Sequence, residues 1–253
     1  MLDALSPVLR ALDARTQPLN FFLRDDDAGW NDKALFALLD TTAQAGVPID
    51  MAVIPQATGP RLAAELCERI DAMPHLMAVH QHGNAHTNHE LGGRRCEFGA
   101  SRDAAAQRDD LREGRGRMQA LFGQRLDDIF TPPWNRCTAY TPGLLLEVGI
   151  QVLSRDRTAP AQQDLPELAV DVDWCKHSAG AAADAPAIAQ ALLAAVKLRG
   201  CRSEPLGLML HHAQMELTEL RLLRKWLPVL RAHPMLRCRL MREVLTERVL
   251  TLH

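Results

Sequence analysis

Lysine is scarce in this 253-residue chain: it supplies four of the 29 basic residues, and arginine supplies the other twenty-five. An excess of charge is lacking too. Against 31 Asp+Glu the formal net charge is -2, so the chain has no overall basic character with which to hold a phosphate backbone, and nucleic acid is not an expected partner. No apolar run approaches the ~20 residues that a bilayer span needs; the longest, 185–196, falls well short. The first twenty residues carry Asp3 and Asp13 and no uninterrupted apolar stretch, so they do not read as a secretory signal, and a cytoplasmic location is expected. There is no C-x-x-C pair among six scattered cysteines, which points to free thiols in a reducing compartment. Nucleotide-binding signatures, G-x-G-x-x-G or a P-loop, are missing as well.

What remains is ordinary globular material, 47% hydrophobic and 24% charged, enough for a full core. Short apolar runs at 19–24, 48–54, 76–81, 128–131, 150–154, 168–172, 206–210 and 235–240 read as strands. Helical patterns lie between them at 31–45, 61–73, 101–122, 185–198 and 216–232. Gly114 and Gly116 fall inside the third helix, each costing roughly 1 kcal/mol relative to Ala, so a kink or break is expected there. This alternation predicts an α/β fold, a deformed (β/α) barrel of seven to eight parallel strands, as one domain over 1–253. The rival is an open doubly wound sheet. The longest non-periodic polar stretch, 88–100, is a candidate wall or lid of a site.

The second peculiarity of composition is ten histidines beside a single tyrosine. Six of them, His80, His82, His86, His89, His211 and His212, sit at the ends of just two predicted strands; His75, His177, His233 and His253 read as bystanders. Five clusters follow predicted strands. The first, FFLRDDDAGW, holds Asp25, Asp26 and Asp27, three carboxylates that repel one another unless water or a cation relieves them; an exposed loop capping the next helix explains them equally well. The second, HQHGNAHTNH, spaces His82 and His86 so that both imidazoles can face one cation. The third, FTPPWNR, has Pro132 and Pro133 fixing a turn that can hold Trp134 and Asn135 at a site wall. VDVDWC and LGLMLHHAQM deliver Asp171, Asp173, His211 and His212.

In this order the five clusters, within 19–214, resemble the motifs of the polysaccharide deacetylases, the family-four carbohydrate esterases, whose fold is a deformed (β/α) barrel. The matching residues are Asp26-Asp27, His82 with His86, Pro132-Pro133-Trp134, Asp173-Trp174 and the His211-His212 end of a strand. The resemblance implies one divalent metal, Zn²⁺ first and Co²⁺, Ni²⁺ or Mn²⁺ as alternatives, held by Asp27, His82 and His86, with Asp26 as general base. An Asp25-Asp26 register is the alternative. It also implies a general-acid histidine, either His211 or His212, oriented by Asp171 or Asp173. Pro133, Trp134, Asn135 and Trp174 become candidate substrate contacts.

One departure stands out. The family has an arginine in its third motif that holds the catalytic aspartate, whereas this chain has Thr131 before Pro132, so Arg24 or Arg136 must take that part or the activity is altered. The expected activity is metal-dependent hydrolysis of a non-peptide C–N bond, foremost N-deacetylation of an amino-sugar-containing small molecule or glycoconjugate. Hydrolysis of a ureide or cyclic imide, or a non-catalytic binding protein, are the alternatives. With aromatics at 4% there is little stacking surface for a long sugar chain, which favours a small molecule or short glycan, with no membrane partner.

Overall fold

Strand β1 (Leu19–Ala28) is the longest and the axis of the structure, a computed structural model that describes residues 2–179, 182–200 and 202–250. His253 and Cys201 lie outside the described residues. A first helix α1 (Ser6–Asp13) precedes it. There follow α2 (Asp32–Gln44), β2 (Ile49–Val53), α3 (Pro60–Ala72), β3 (Met77–His82), α4 (Ala104–Phe122), β4 (Leu126–Thr131), α5 (Thr141–Glu147), β5 (Val152–Leu153) and β6 (Val172–Asp173). A small hairpin of β7 (Ser178–Ala179) and β8 (Ala182–Ala183) leads into α6 (Ala185–Arg199), β9 (Leu206–Leu210), α7 (Leu217–Ala232), β10 (Leu236–Cys238) and α8 (Met241–Leu250).

The strands of the main sheet run parallel in the order β5-β4-β3-β2-β1-β9-β6, with β10 pairing the first residues of β1. No regular ladder joins β5 to β6. Single bridges, Leu153 to Glu167 and Asp156 to Val170, together with Asp171 N–H donating to Gly207 O at 2.8 Å, carry the sheet across that gap. The barrel is therefore deformed, closed by an irregular segment. The strand expected at 168–172 shrinks for the same reason, because this segment passes from one neighbouring strand to the other and makes a continuous ladder with neither.

Alternation along each strand separates two cores. Phe21 and Leu23 face the helix layer, packing with Val79, Leu208 and the buried face of α7, Leu223, Trp226 and Leu227. Phe22 points inward with Ile129, Leu168 and Met209, and Met241 and Val244 of α8 plug the lower end. Neither α1, α5 nor α8 is evident in the sequence pattern. The kink expected in α4 does not occur: the helix is continuous, and Gly114 sits where a Cβ would come within 2.5 Å of Gln81 Nε2, so the glycine serves close packing on β3. Asn31 does cap α2, its side chain accepting from Ala34 N–H at 3.3 Å, and Glu216 with Glu219 forms a capping box on α7. The five described cysteines are free, and no described helix is long and apolar enough to cross a membrane.

Candidate functional site

The acidic triplet belongs to β1 itself, where an exposed loop after residue 24 was one reading of the sequence; Asp25, Asp26 and Asp27 are 0%, 2% and 4% exposed. Three adjacent carboxylates survive burial because each has its own partner, His212 for Asp25, Arg24 for Asp26, and His82 with His86 for Asp27. Alternation sends Arg24 and Asp26 into the barrel and Asp25 towards the helices. A register shift against β2 between Asp25 and Ala28 then places Asp27, at φ +69°, towards the cleft at the C-terminal ends of the strands.

Asp27 Oδ1 meets His82 Nε2 at 3.2 Å and His86 Nε2 at 3.1 Å. His82 Nδ1 lies 3.0 Å from the Thr131 carbonyl, which fixes the hydrogen on that nitrogen and leaves Nε2 to present its lone pair. A neutral imidazole and a carboxylate facing each other as two acceptors repel unless a cation lies between them. The donor spacing suits one, since ligands at about 2.0–2.1 Å around a tetrahedral ion stand roughly 3.3 Å apart. Burial opposes charge on both groups. Even so, the two imidazoles hold Asp27 well below the usual carboxylate range, and Asp27 and Asp26 lift His82 above the usual imidazole range.

Asp26 is fixed by Arg24, whose Nε and Nη2 donate to its two oxygens at 2.7 and 2.8 Å. Arg24 is fully buried and also donates to Ser154 Oγ at 2.8 Å and Asn135 Oδ1 at 2.7 Å. Burial would raise the Asp26 pKa, but the charge of Arg24, then of His82 and His211, outweighs it and keeps the carboxyl ionised. Of the two arginines considered for this part, Arg24 makes the contact. Arg136 instead donates to Arg95 O at 2.8 Å.

The histidine doublet divides by the same alternation. His211 follows Gly207 and Met209 into the barrel and lines the cleft, with Nδ1 3.8 Å from Asp173 Oδ1. His212 faces the helices, where its N–H donates to Asp25 Oδ1 at 3.0 Å, its Nδ1 lies 2.7 Å from Asp25 Oδ2, and its Nε2 lies 2.6 Å from Trp30 O. Burial lowers the His212 pKa, but Asp25 more than compensates and brings it up to about 9. Its ring is thus engaged on both nitrogens and does not reach the cleft. Asp171 is likewise withdrawn from His211, held by Arg157, Arg199 and the Gly207 N–H.

The cleft, of about 280 Å³, brings together Asp26, Asp27, His82, His86, Trp134 and His211. Trp174 is the clear correction. Next to inward-facing Asp173 it points outward, 1% exposed, with Nε1 donating to Glu219 at 3.1 Å and its ring edge-on to Trp226 at 5.8 Å. Pro133 is buried behind Gly83, where a Cβ would stand 2.6 Å from its Cγ, and Asn135 supports Arg24 beside the cleft. Trp30, Arg95 and Gln214 also line the cleft and were not singled out from the sequence. Trp30 and Trp134 flank the His86 ring, with centroids 4.7 and 4.5 Å away. Of the five non-glycine residues with positive φ among the described residues, four (Asp27, His86 and Trp134 in the cleft and Asn135 beside it) lie at this site, a concentration of backbone strain that surrounding packing must hold.

Buried His80, 2.9 Å from Thr131 Oγ1, has its pKa lowered to about 3, chiefly by burial; it stays neutral and supports the floor.

Compared by sequence, the chain matches no family model and no curated protein. Compared by structure, it is similar over 93% of its length to 92% of a proposed polysaccharide deacetylase from Mycobacterium smegmatis, with 18% identity and a TM-score of 0.67. The chain has the polysaccharide-deacetylase fold. A family-four acetyl xylan esterase from Clostridium thermocellum, solved with a cobalt ion, shares this deacetylase fold at 16% identity and TM-score 0.57, over 91% of this chain and 92% of that one. So does a family-four pseudoenzyme from Bacillus anthracis, at 14% identity and TM-score 0.56, over 91% of this chain and 66% of that one. The deacetylase fold thus accommodates both active and inactive proteins, and the activity has to be argued from the site.

Proposed function

We propose that this protein is a metal-dependent hydrolase that removes the acyl group from the amide of a short amino-sugar substrate. The observation that carries the reading is the convergence in one cleft of the Asp27–His82–His86 donor set, the Arg24-fixed Asp26 and His211.

Two imidazoles and one carboxylate are zinc-type donors, with Co²⁺, Ni²⁺ or Mn²⁺ as substitutes, and the cleft leaves their fourth side open. A divalent cation there supplies Lewis acidity to polarise water and the acyl carbonyl. Asp26 takes the proton of the attacking water. The paired N–H donors of Arg24 keep its carboxylate aimed and ionised, so no rotation is needed as the proton arrives. His211 gives a proton to the departing nitrogen, the step that an amide needs most, and Asp173 Oδ1 lies 3.8 Å from its Nδ1. Trp30 and Trp134 offer two apolar walls, enough for one or two sugar rings.

Metal analysis of the purified protein beside acetate release from N-acetylated amino sugars tests this. One equivalent of metal in wild type, its loss in His82→Ala and His86→Ala, and turnover that follows the metal are expected. No metal under any condition overturns the proposal, and metal without turnover of any amide makes the chain a binding protein.

A further inference from the structure

The segment 88–100 has no part in the chemistry above, yet it is firmly built. Asn88 Oδ1 accepts from Cys96 N–H at 3.0 Å, His89 N–H donates to Cys96 O at 3.0 Å, and Thr138 N–H donates to Phe98 O at 2.9 Å. Buried Glu97 accepts from Asn84 and Ala85 N–H at 3.2 and 2.7 Å, tying the segment to the histidine loop. Its tip, Gly92-Gly93-Arg94-Arg95, is exposed, and Arg136 Nη1 fastens it by donating to Arg95 O at 2.8 Å.

Three guanidiniums result on one rim. Arg95 lines the catalytic cleft, while Arg94 and Arg136 line an adjoining groove of about 280 Å³ that shares the Trp134 wall. Other cations of the groove are paired, Lys176 with Asp156 at 3.3 Å and Arg155 with Glu167 at 2.9 Å. Arg94, Arg95 and Arg136 have no carboxylate within ion-pair distance among the described residues. The Arg136 guanidinium is held below its usual pKa by burial and then by the charge of Arg94, which Asp156 across the groove offsets only in part. In a chain of net charge -2, a cluster of guanidiniums without a carboxylate at ion-pair distance is a local positive field that suits an anion.

Resting on the hydrolase reading above, we infer that the Arg94–Arg95–Arg136 rim is a subsite for a phosphoryl group of the substrate, a phosphate monoester or diphosphate attached to the amino sugar. Three cations exceed what one carboxylate neutralises, and the planar guanidinium fork pairs two of its N–H groups with phosphate oxygens. The shared Trp134 wall places such a group beside the sugar in the cleft.

Two measurements test it. In calorimetry, sodium pyrophosphate binds wild type, more weakly as salt rises, and the Arg94→Ala/Arg136→Ala double variant loses about tenfold or more in affinity. Arg61→Ala, a surface control whose side chain is 94% exposed, does not. Equal affinity in the double variant, or no binding to wild type, overturns the subsite. In kinetics, kcat/KM for N-acetylglucosamine 1-phosphate exceeds that for methyl N-acetylglucosaminide by about tenfold in wild type, and the ratio collapses in the double variant. A wild-type ratio near one also overturns it. Pyrophosphate binding at these arginines without turnover of either sugar rejects the hydrolase and retains the anion site.

Discussion

Arg24 and Asp26, two residues apart on one strand, form a buried bidentate ion pair at 2.7 and 2.8 Å. Because i and i+2 share a face of a β-strand, the chain supplies the Asp26 carboxylate, proposed as the base, and its anchor from a single segment. Replacing Arg24 with Met leaves a buried carboxylate unpaired and destabilises by about 3–5 kcal/mol. The Arg24→Met/Asp26→Asn double variant regains much of that stability. Under conditions where Arg24→Met stays folded, kcat falls far more than KM rises, and the acidic limb of the pH–rate profile moves to higher pH, which a merely structural arginine does not produce.

The register of the acidic triplet is read by metal content. Asp26→Asn retains the metal while kcat drops about 10²–10⁴-fold. Asp27→Asn loses the metal in dialysed protein. The reverse pattern would mean that Asp25-Asp26 is the working pair.

His211 and His212 separate by readout. His211→Ala keeps its melting temperature within a few degrees and loses turnover by about 10²–10⁴-fold, least for substrates with good leaving groups. His212→Ala strands buried Asp25 and costs about 3–5 kcal/mol in denaturant unfolding.

The His212 pair also makes stability depend on pH. Its pKa is about 9 folded and about 6.5 unfolded. The contribution is therefore complete below about pH 6.5 and is lost as pH rises through 9, a decline on the order of 3 kcal/mol. Denaturant titrations across this range show the decline in wild type, and Asp25→Asn flattens it. A wild-type stability that is constant from pH 6.5 to 9.5 contradicts the assignment.

Gly83 joins the histidine loop to the Pro132-Pro133 turn. At φ +57° a Cβ there would lie 2.1 Å from Glu97 Oε2 and 2.6 Å from Pro133 Cγ. Gly83→Ala forces both apart and weakens metal binding by tenfold or more, measured by competition with a chelator, although it touches no ligand.

Much of the site was legible because its chemistry is carried by residue type and order. His82 and His86 at i, i+4 after a strand, an Asp doublet before Ala28-Gly29, and a strand ending in His can be recognised without coordinates. Trp174 was misplaced because its side depends on strand parity, and β6 is too short for an alternating pattern to show. Trp30, Arg95 and Gln214 carry no local signal; they matter only because three separate loops meet at one cleft.

The sequence by itself determined the alternation of strands and helices, the set of metal-type donors and the absence of an overall basic charge. Only the tertiary structure decided that Asp25, Asp26 and Asp27 each have a different partner, that Arg24 and not Arg136 pairs with Asp26, and that His211 faces the cleft while His212 faces the helices. The reason is geometric: a strand alternates its side chains between two environments, and which of the two is the barrel interior is set by neighbours 100 to 200 residues away, Ser154 and Met209 for Arg24, and Asp25 for His212.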